Sequence, residues 1–226
     1  MPTWSRIMKE QFIPKTATGR RPGIKMRPEY ITIHSTGNPR STAQNEADNV
    51  CNNHPKLKVS FHAVVDDTQA IQVLPFNEVA WHAGDGTGKG NMASIGIEIC
   101  ESGNRQKALE NAIRLVKDLM DGHKIPLKNV VQHNHWSGKD CPRILRNKAY
   151  VQGRYGWKWF YSKLEDENVE IKKLPVKING KMVEVDAVNI KGNNYIKLRD
   201  LADADKNDAF EVGWDAASKT VIIESK

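Results

Sequence analysis

A chain of 226 residues, 39% of them hydrophobic, can bury one substantial core and a small second one but not two large domains. Its 27% charged and 7% aromatic content excludes disorder, a collagen-like chain and a coiled coil. No apolar run approaches the roughly 20 residues that span a bilayer, so no membrane insertion is expected.

The net charge of +7 is unevenly placed. From residue 170 onward basic and acidic residues balance at ten each, so the whole excess lies in residues 1–169 and favours a polyanionic partner. Nucleic acid and the anionic polymers of a bacterial wall both fit. No basic cluster interleaved with aromatics marks a nucleic-acid reader, so no nucleic acid is assigned. The opening stretch MPTWSRIMKEQFIPK is too polar for the apolar segment of a signal peptide. Synthesis in the cytoplasm is expected, with any action outside following release. Three cysteines, Cys51, Cys100 and Cys141, are odd in number and lack a CxxC pair, which argues against a disulfide framework. Cys51 and Cys100 are expected as small interior residues.

In chain order, PEYITIHST reads as a short buried strand with His34 at its C-terminal end. STAQNEADNVCNN has helical spacing at Ala43, Ala47, Val50 and Cys51 behind a Ser/Thr start. VSFHAVVDD, AIQVLP, EVAWHAG and SIGIEIC read as successive strands, broken by Asp-Asp, Pro and the glycine-rich GDGTGKGN. RQKALENAIRLVKDLMDGHK sets Leu109, Ala112, Ile113, Val116, Leu119 and Met120 on one helical face, with a stop expected at Asp121-Gly122. NVVQH is a further strand, again ending in histidine. The order predicts an α/β domain over residues 1–163, a mixed central sheet flanked by helices. The charged LEDENVEIKKL, residues 164–174, reads as a linker. Residues 175–226 form a small β-rich α+β domain, with turns at Asn179-Gly180 and Lys-Gly-Asn-Asn (191–194), a short helix, and two closing strands.

A hydrolytic zinc site needs three N, S or O ligands, an open position, and a group that handles protons. His133 and Cys141, eight residues apart in VVQHNHWSGKDCP, suit a loop that leaves a strand and returns to one metal. His34 could join them, because strand ends at one edge of an α/β sheet converge. A histidine beside a strand is more often an ordinary hydrogen-bonded residue, and spacing alone leaves the matter open. Glu98 is a carboxylate in an apolar strand, which costs several kcal/mol unless a cation or donors meet it.

YITIHST, FHAVVDD, VAWHAGDG, SIGIEIC and QHNHWSGKDCP, in this order and spacing, resemble the zinc-dependent N-acetylmuramoyl-L-alanine amidases of the type 2 family, which includes phage endolysins and shares its fold with peptidoglycan recognition proteins. The resemblance covers roughly residues 25–160. It implies hydrolysis of the amide between N-acetylmuramic acid and L-alanine of the peptidoglycan stem peptide, by an endolysin or autolysin. It also implies Zn2+ held by His34, His133 and Cys141, with Glu98 as general base and Lys139 stabilising the oxyanion. His135 is the rival ligand in the same loop. His62, Trp81, His82 and Trp136 are candidate substrate or supporting contacts. One departure is Phe61, which stands where some members carry a tyrosine and offers no hydroxyl. Two other readings stay open: a non-catalytic peptidoglycan-binding module, and a cysteine hydrolase using Cys141 with His133 as base.

The tail VKINGKMVEVDAVNIKGNNYIKLRDLA resembles the copper amine oxidase N-terminal-like domain of bacterial wall-associated proteins. It contains no His or Cys, which argues against a copper site. Wall binding and a stabilising or dimerising appendage are the two readings of it.

Overall fold

The computed structural model of the chain describes residues 8–52 and 57–165, and the segments 171–178, 181–190, 193–196, 210–215 and 220–225. These fall into two units, Met1–Glu165 and Asp166–Lys226.

The first unit holds a six-stranded sheet of β1 (Lys9–Glu10), β2 (Tyr30–Ser35), β3 (Ala63–Val65), β4 (Ala70–Gln72), β5 (Ser94–Ile99) and β6 (Val130–Gln132), in the order β1-β4-β3-β5-β2-β6. Only the β3–β4 hairpin is antiparallel; the other neighbours run parallel. The helices are α1 (Ala43–Cys51), α2 (Lys89–Met92), α3 (Arg105–His123), α4 (Asn134–Ser137), α5 (Arg143–Arg146) and α6 (Trp157–Leu164).

β2 and β5 are central parallel strands rich in isoleucine, and both of their faces are covered. Ile31, Ile33, Ile95, Ile97 and Ile99 pack in one cluster with Leu109, Leu115, Val116 and Leu119 of α3 and Phe160 of α6. Each such side chain contributes about 1.5–3 kcal/mol on burial. A second cluster sets Ala43, Ala47 and Val50 of α1 against Phe61, Val64 and Ile71. The Thr42 side chain caps α1 by accepting from the Asn45 N–H, and its own N–H donates to Asn45 Oδ1. α3 runs past the expected stop at Asp121-Gly122 to His123, and ends where Lys124 turns left-handed at φ 57°.

EVAWHAG, expected as a strand, is irregular. Its one ladder contact is an isolated bridge between Glu78 and Lys25, made by the Val79 N–H to the Ile24 carbonyl at 2.8 Å and the Met26 N–H to the Asn77 carbonyl at 2.9 Å, whereas the N–H groups of Trp81, His82 and Ala83 go to side chains. Its apolar pattern records burial of Val79, Ala80 and Ala83 rather than strand pairing. The four-residue helices α2, α4 and α5 are too short to leave a periodic signal.

The expected linker 164–174 also needs correction. Leu164 is the buried last residue of α6, and residues 171–174 belong to a strand. Dense charge hid the alternation of Ile171, Lys173 and Pro175 with Lys172, Leu174 and Val176. In the second unit, β7 (Ile171–Ile178), β8 (Lys181–Ile190) and β9 (Asn193–Ile196) form an antiparallel sheet, and β10 (Phe210–Asp215) pairs with β11 (Thr220–Ser225). Asn193 and Asn194, expected in a turn, open β9. The Asn179-Gly180 turn and the expected short helix lie outside the described residues. Among the described residues no helix is long and apolar enough to cross a membrane.

Candidate metal centre

The parallel register of β2 and β5 places His34 directly opposite Glu98, so both project from the same face. β6 lies on the other side of β2 and ends one residue before His133, whose N–H donates to the Ile33 carbonyl at 3.1 Å. After α4, Gly138 at φ 74° turns the chain back, a conformation that glycine adopts without strain. The Asn134 N–H donates to the Cys141 carbonyl at 3.0 Å and its side-chain amide to the Lys139 carbonyl at 2.9 Å, closing the loop. One nitrogen each from His34 and His133 and the sulfur of Cys141 thereby lie within 4.8 Å of one another, all buried. His34 Nδ1 is 3.8 Å from Cys141 Sγ and 3.9 Å from Glu98 Oε1.

Two atoms test whether these residues fit a metal. His133 Nδ1 and Glu98 Oε2 are buried without a hydrogen-bond partner, as are Ser35 Oγ and Thr36 Oγ1 nearby. Buried polar groups are rarely orphaned unless an ion, water or substrate completes them. Two imidazoles and a thiol form a donor set suited to zinc.

Burial presses every group here toward its neutral form. It holds His34 well below the usual histidine range, with His82 and His133 adding to the effect, and lowers His133 as well. Burial pushes the Cys141 thiol up to about 12. It raises Glu98 to about 8, aided by Glu46 and opposed by Lys139. A dication reverses this balance, favouring both thiolate and carboxylate. An unmetallated Cys141 is the opposite of an activated nucleophile, which removes support from the cysteine-hydrolase reading.

The site opens into a pocket of about 200 Å³ lined by Glu98, Thr36, Glu46, Phe61, Trp81 and Lys139 among others. Lys139 is exposed, with its backbone pinned by Asn134 and the Cys141 N–H. His135 is exposed against Trp136 and is not among the converging ligand atoms. Trp136 lies outside the pocket lining, its indole N–H donating to Thr32 Oγ1 at 2.8 Å. The candidate substrate contacts His62 and His82 are buried with both ring nitrogens committed. His62 bonds the Glu78 carbonyl at 2.8 Å and the Gly96 N–H at 2.9 Å. His82 bonds His34 at 3.0 Å and the Ser94 carbonyl at 3.2 Å. Neither keeps a ring nitrogen free for substrate.

Sequence reasoning missed Glu101. This buried carboxylate, two residues after β5, accepts from the Gly37 N–H at 3.0 Å and grips Arg143 through a closest contact of 2.6 Å. It therefore ties together the segments that follow His34, Glu98 and Cys141. Its position beside Arg143 of α5 is visible only in three dimensions.

A profile of the N-acetylmuramoyl-L-alanine amidase family matches residues 24–144, just over half of the chain. The chain belongs to this family. Within it, the chain is similar to the N-acetylmuramoyl-L-alanine amidase XlyA of Bacillus subtilis (strain 168), 51% identical over 138 residues that cover 60% of this chain and 46% of that protein. It is similar to CwlH of the same organism, 47% identical over 141 residues, covering 61% of this chain and 56% of that protein. CwlA of Bacillus sp is 37% identical over 196 residues, covering 84% and 72%. The chain thus spans about half the length of the first two relatives. The solved catalytic domain of XlyA superposes with a TM-score of 0.63 at 46% identity, covering 70% of this chain and 99% of that one. PlyL superposes with a TM-score of 0.61 at 40% identity, covering 72% and 99%.

Proposed function

We propose that this family member is a zinc-dependent peptidoglycan hydrolase that cleaves the amide between N-acetylmuramic acid and L-alanine of the stem peptide. The observation that carries the reading is the partnerless buried oxygen of Glu98 beside the three converging atoms of His34, His133 and Cys141, at the base of an open pocket. His34, His133 and Cys141 would hold the metal. A bound zinc supplies Lewis acidity, acidifying water and polarising a carbonyl.

The protein's own groups divide the remaining work. Glu98 takes a proton from the attacking water and returns it to the departing amine nitrogen as the amide bond breaks. Its partnerless Oε2 leaves one carboxylate oxygen open to that proton, beside the converging ligand atoms. Lys139 sets a positive charge at the pocket where the carbonyl oxygen gains negative charge. Phe61, buried in the pocket wall, contributes no proton, so the transfer falls on Glu98. Trp81 offers an aromatic surface to the sugar or peptide.

The C-terminal unit is proposed to hold the enzyme on its polymer, raising the local substrate concentration. The basic excess upstream of residue 170 favours the anionic polymers of the same wall. Removing residues 166–226 is expected to leave turnover of a soluble muropeptide unchanged while slowing digestion of intact wall.

The test is to follow new free amino groups and new reducing ends on purified peptidoglycan. Amino groups without reducing ends, lost on chelation and restored by zinc, support the amidase; mass spectrometry of the products identifies the bond. Binding to wall without release of either group, at any zinc level, makes this a recognition module instead.

A further inference from the structure

Building on the metal-binding reading, we infer that the dipeptide His82–Ala83, suspended from Asn91, is the outer support of the metal centre. It fixes which ring nitrogen of each histidine ligand carries the proton, and so turns the other nitrogen's lone pair into the site.

The hydrogen-bond chain has one direction. His82 Nε2 lies 3.2 Å from the Ser94 carbonyl, which can only accept, so Nε2 carries the proton. Burial keeps the ring neutral, which leaves His82 Nδ1 as an acceptor. That Nδ1 lies 3.0 Å from His34 Nε2, which must therefore donate. His34 is left with its lone pair on Nδ1, the nitrogen that faces Cys141 Sγ. The ring of His133 is fixed by the next residue along. Its Nδ1 has no partner, and its Nε2 lies against the backbone just after Ala83, 3.8 Å from where a Gly84 Cβ would stand, so Nε2 is the nitrogen turned toward this segment. Both ligands thus present Nδ1, and both are oriented by adjacent residues of one segment.

The segment is itself held rigidly. Asn91, 4% exposed, accepts the N–H groups of both His82 and Ala83 on its Oδ1, each at 2.8 Å. Its side-chain NH2 donates to the Gly86 carbonyl at 2.9 Å, which fixes the sense of the amide. Asp85 receives the N–H groups of Gly90 and Asn91 at 2.7 and 3.1 Å. The glycine-rich stretch is therefore a frame for two residues rather than a separator. Gly96 completes the seat: a Cβ there would come within 2.8 Å of the His82 ring, so only glycine lets the imidazole lie against β5. Partners of this kind typically change metal affinity by about 10- to 100-fold.

The experiment uses the full chain, stripped of metal and titrated with zinc against a chromophoric chelator. His82→Leu removes the acceptor for His34 Nε2–H, and zinc affinity should fall by about 10- to 100-fold. In His82→Gln a side-chain oxygen can accept from His34 while the amide donates to Ser94, and most of the affinity should return. Gly96→Ala, which displaces the ring and removes no polar group, should resemble the leucine variant. A rescue by glutamine separates positioning from mere packing.

In parallel, 15N NMR of the metal-free wild type should find both His34 and His133 protonated at Nε2, a readout that needs no variant to fold. Wild-type zinc affinity in a folded His82→Leu protein, or a His34 protonated at Nδ1, overturns the inference. A wild-type chain that binds no zinc overturns the metal reading as well, which keeps the two failures distinct.

Discussion

β8 and β2 are each flanked by strands on both sides, yet they treat polar residues in opposite ways. In β8 the exposed Glu184 and Asp186 alternate with buried Val185 and Ala187, and Asp186 meets Lys173 across the ladder at 2.6 Å. Charge stays in water and apolar atoms stay out of it. β2 is buried on both faces and carries Thr32 and His34 inward, beside a Glu98 oxygen with no partner. Among its described side chains the first arrangement leaves no polar atom short of a partner. The second leaves polar atoms short of partners at the converging ends of parallel strands, and such a deficit marks a place where something is to be bound.

Breaking the deficient site should have the largest effect. Cys141→Ser replaces a thiol with a poorer zinc ligand, and we expect loss of amidase turnover together with a fall in zinc affinity of at least about 100-fold. Metal analysis after dialysis checks this, and full zinc occupancy would refute the ligand set. Glu98→Gln comes next, lowering turnover by about 10²–10⁴-fold with zinc content unchanged.

The same variant carries a pH signature in the metal-free protein. Glu98 keeps its proton to about 8 when folded, against an ordinary value of 4.5. The unfolded chain therefore releases that proton first as pH rises, and wild type loses stability across this window. The histidines work in the other direction, since their lowered values cost stability as pH falls below the ordinary 6.5. The gain in melting temperature of Glu98→Gln over wild type should widen between pH 5 and pH 8 and then level off. A gap that stays constant with pH would contradict the buried carboxylate.

Arg143→Met leaves the buried Glu101 carboxylate with one hydrogen-bond donor, the Gly37 N–H, beside the charge of Arg105, and should cost about 3 kcal/mol by urea unfolding. At the small end, Lys173→Ala breaks a pair whose side chains are 62% and 49% exposed. It should change stability by less than about 1 kcal/mol, and a larger loss would remove the contrast between the two units.

The parts of the site that lie on strand ends were legible in the sequence. His34 and His133 follow runs of β-branched residues, and Glu98 interrupts one, so the chemistry is announced by polar residues where apolar ones belong. The fold class was legible for the same reason, through isoleucine-rich strands alternating with the amphipathic α3. EVAWHAG misled because burial beneath loops produces the same apolar pattern as pairing in a sheet. The linker misled because β7 is the edge strand of its sheet, where adjacent lysines such as Lys172 and Lys173 interrupt the apolar alternation without preventing pairing. Nothing in GDGTGKGN distinguishes a structural asparagine from a loop one; the role of Asn91 exists only in the two N–H groups that tertiary folding brings to it.

Glu101 has a consequence for the life of the protein without metal. Because one carboxylate joins the segments after His34, Glu98 and Cys141 by hydrogen bonds that need no ion, two of the three ligands and the neighbouring carboxylate stay gathered without metal. Reconstitution should then be quick, limited by the ion shedding its hydration shell rather than by any refolding of the chain.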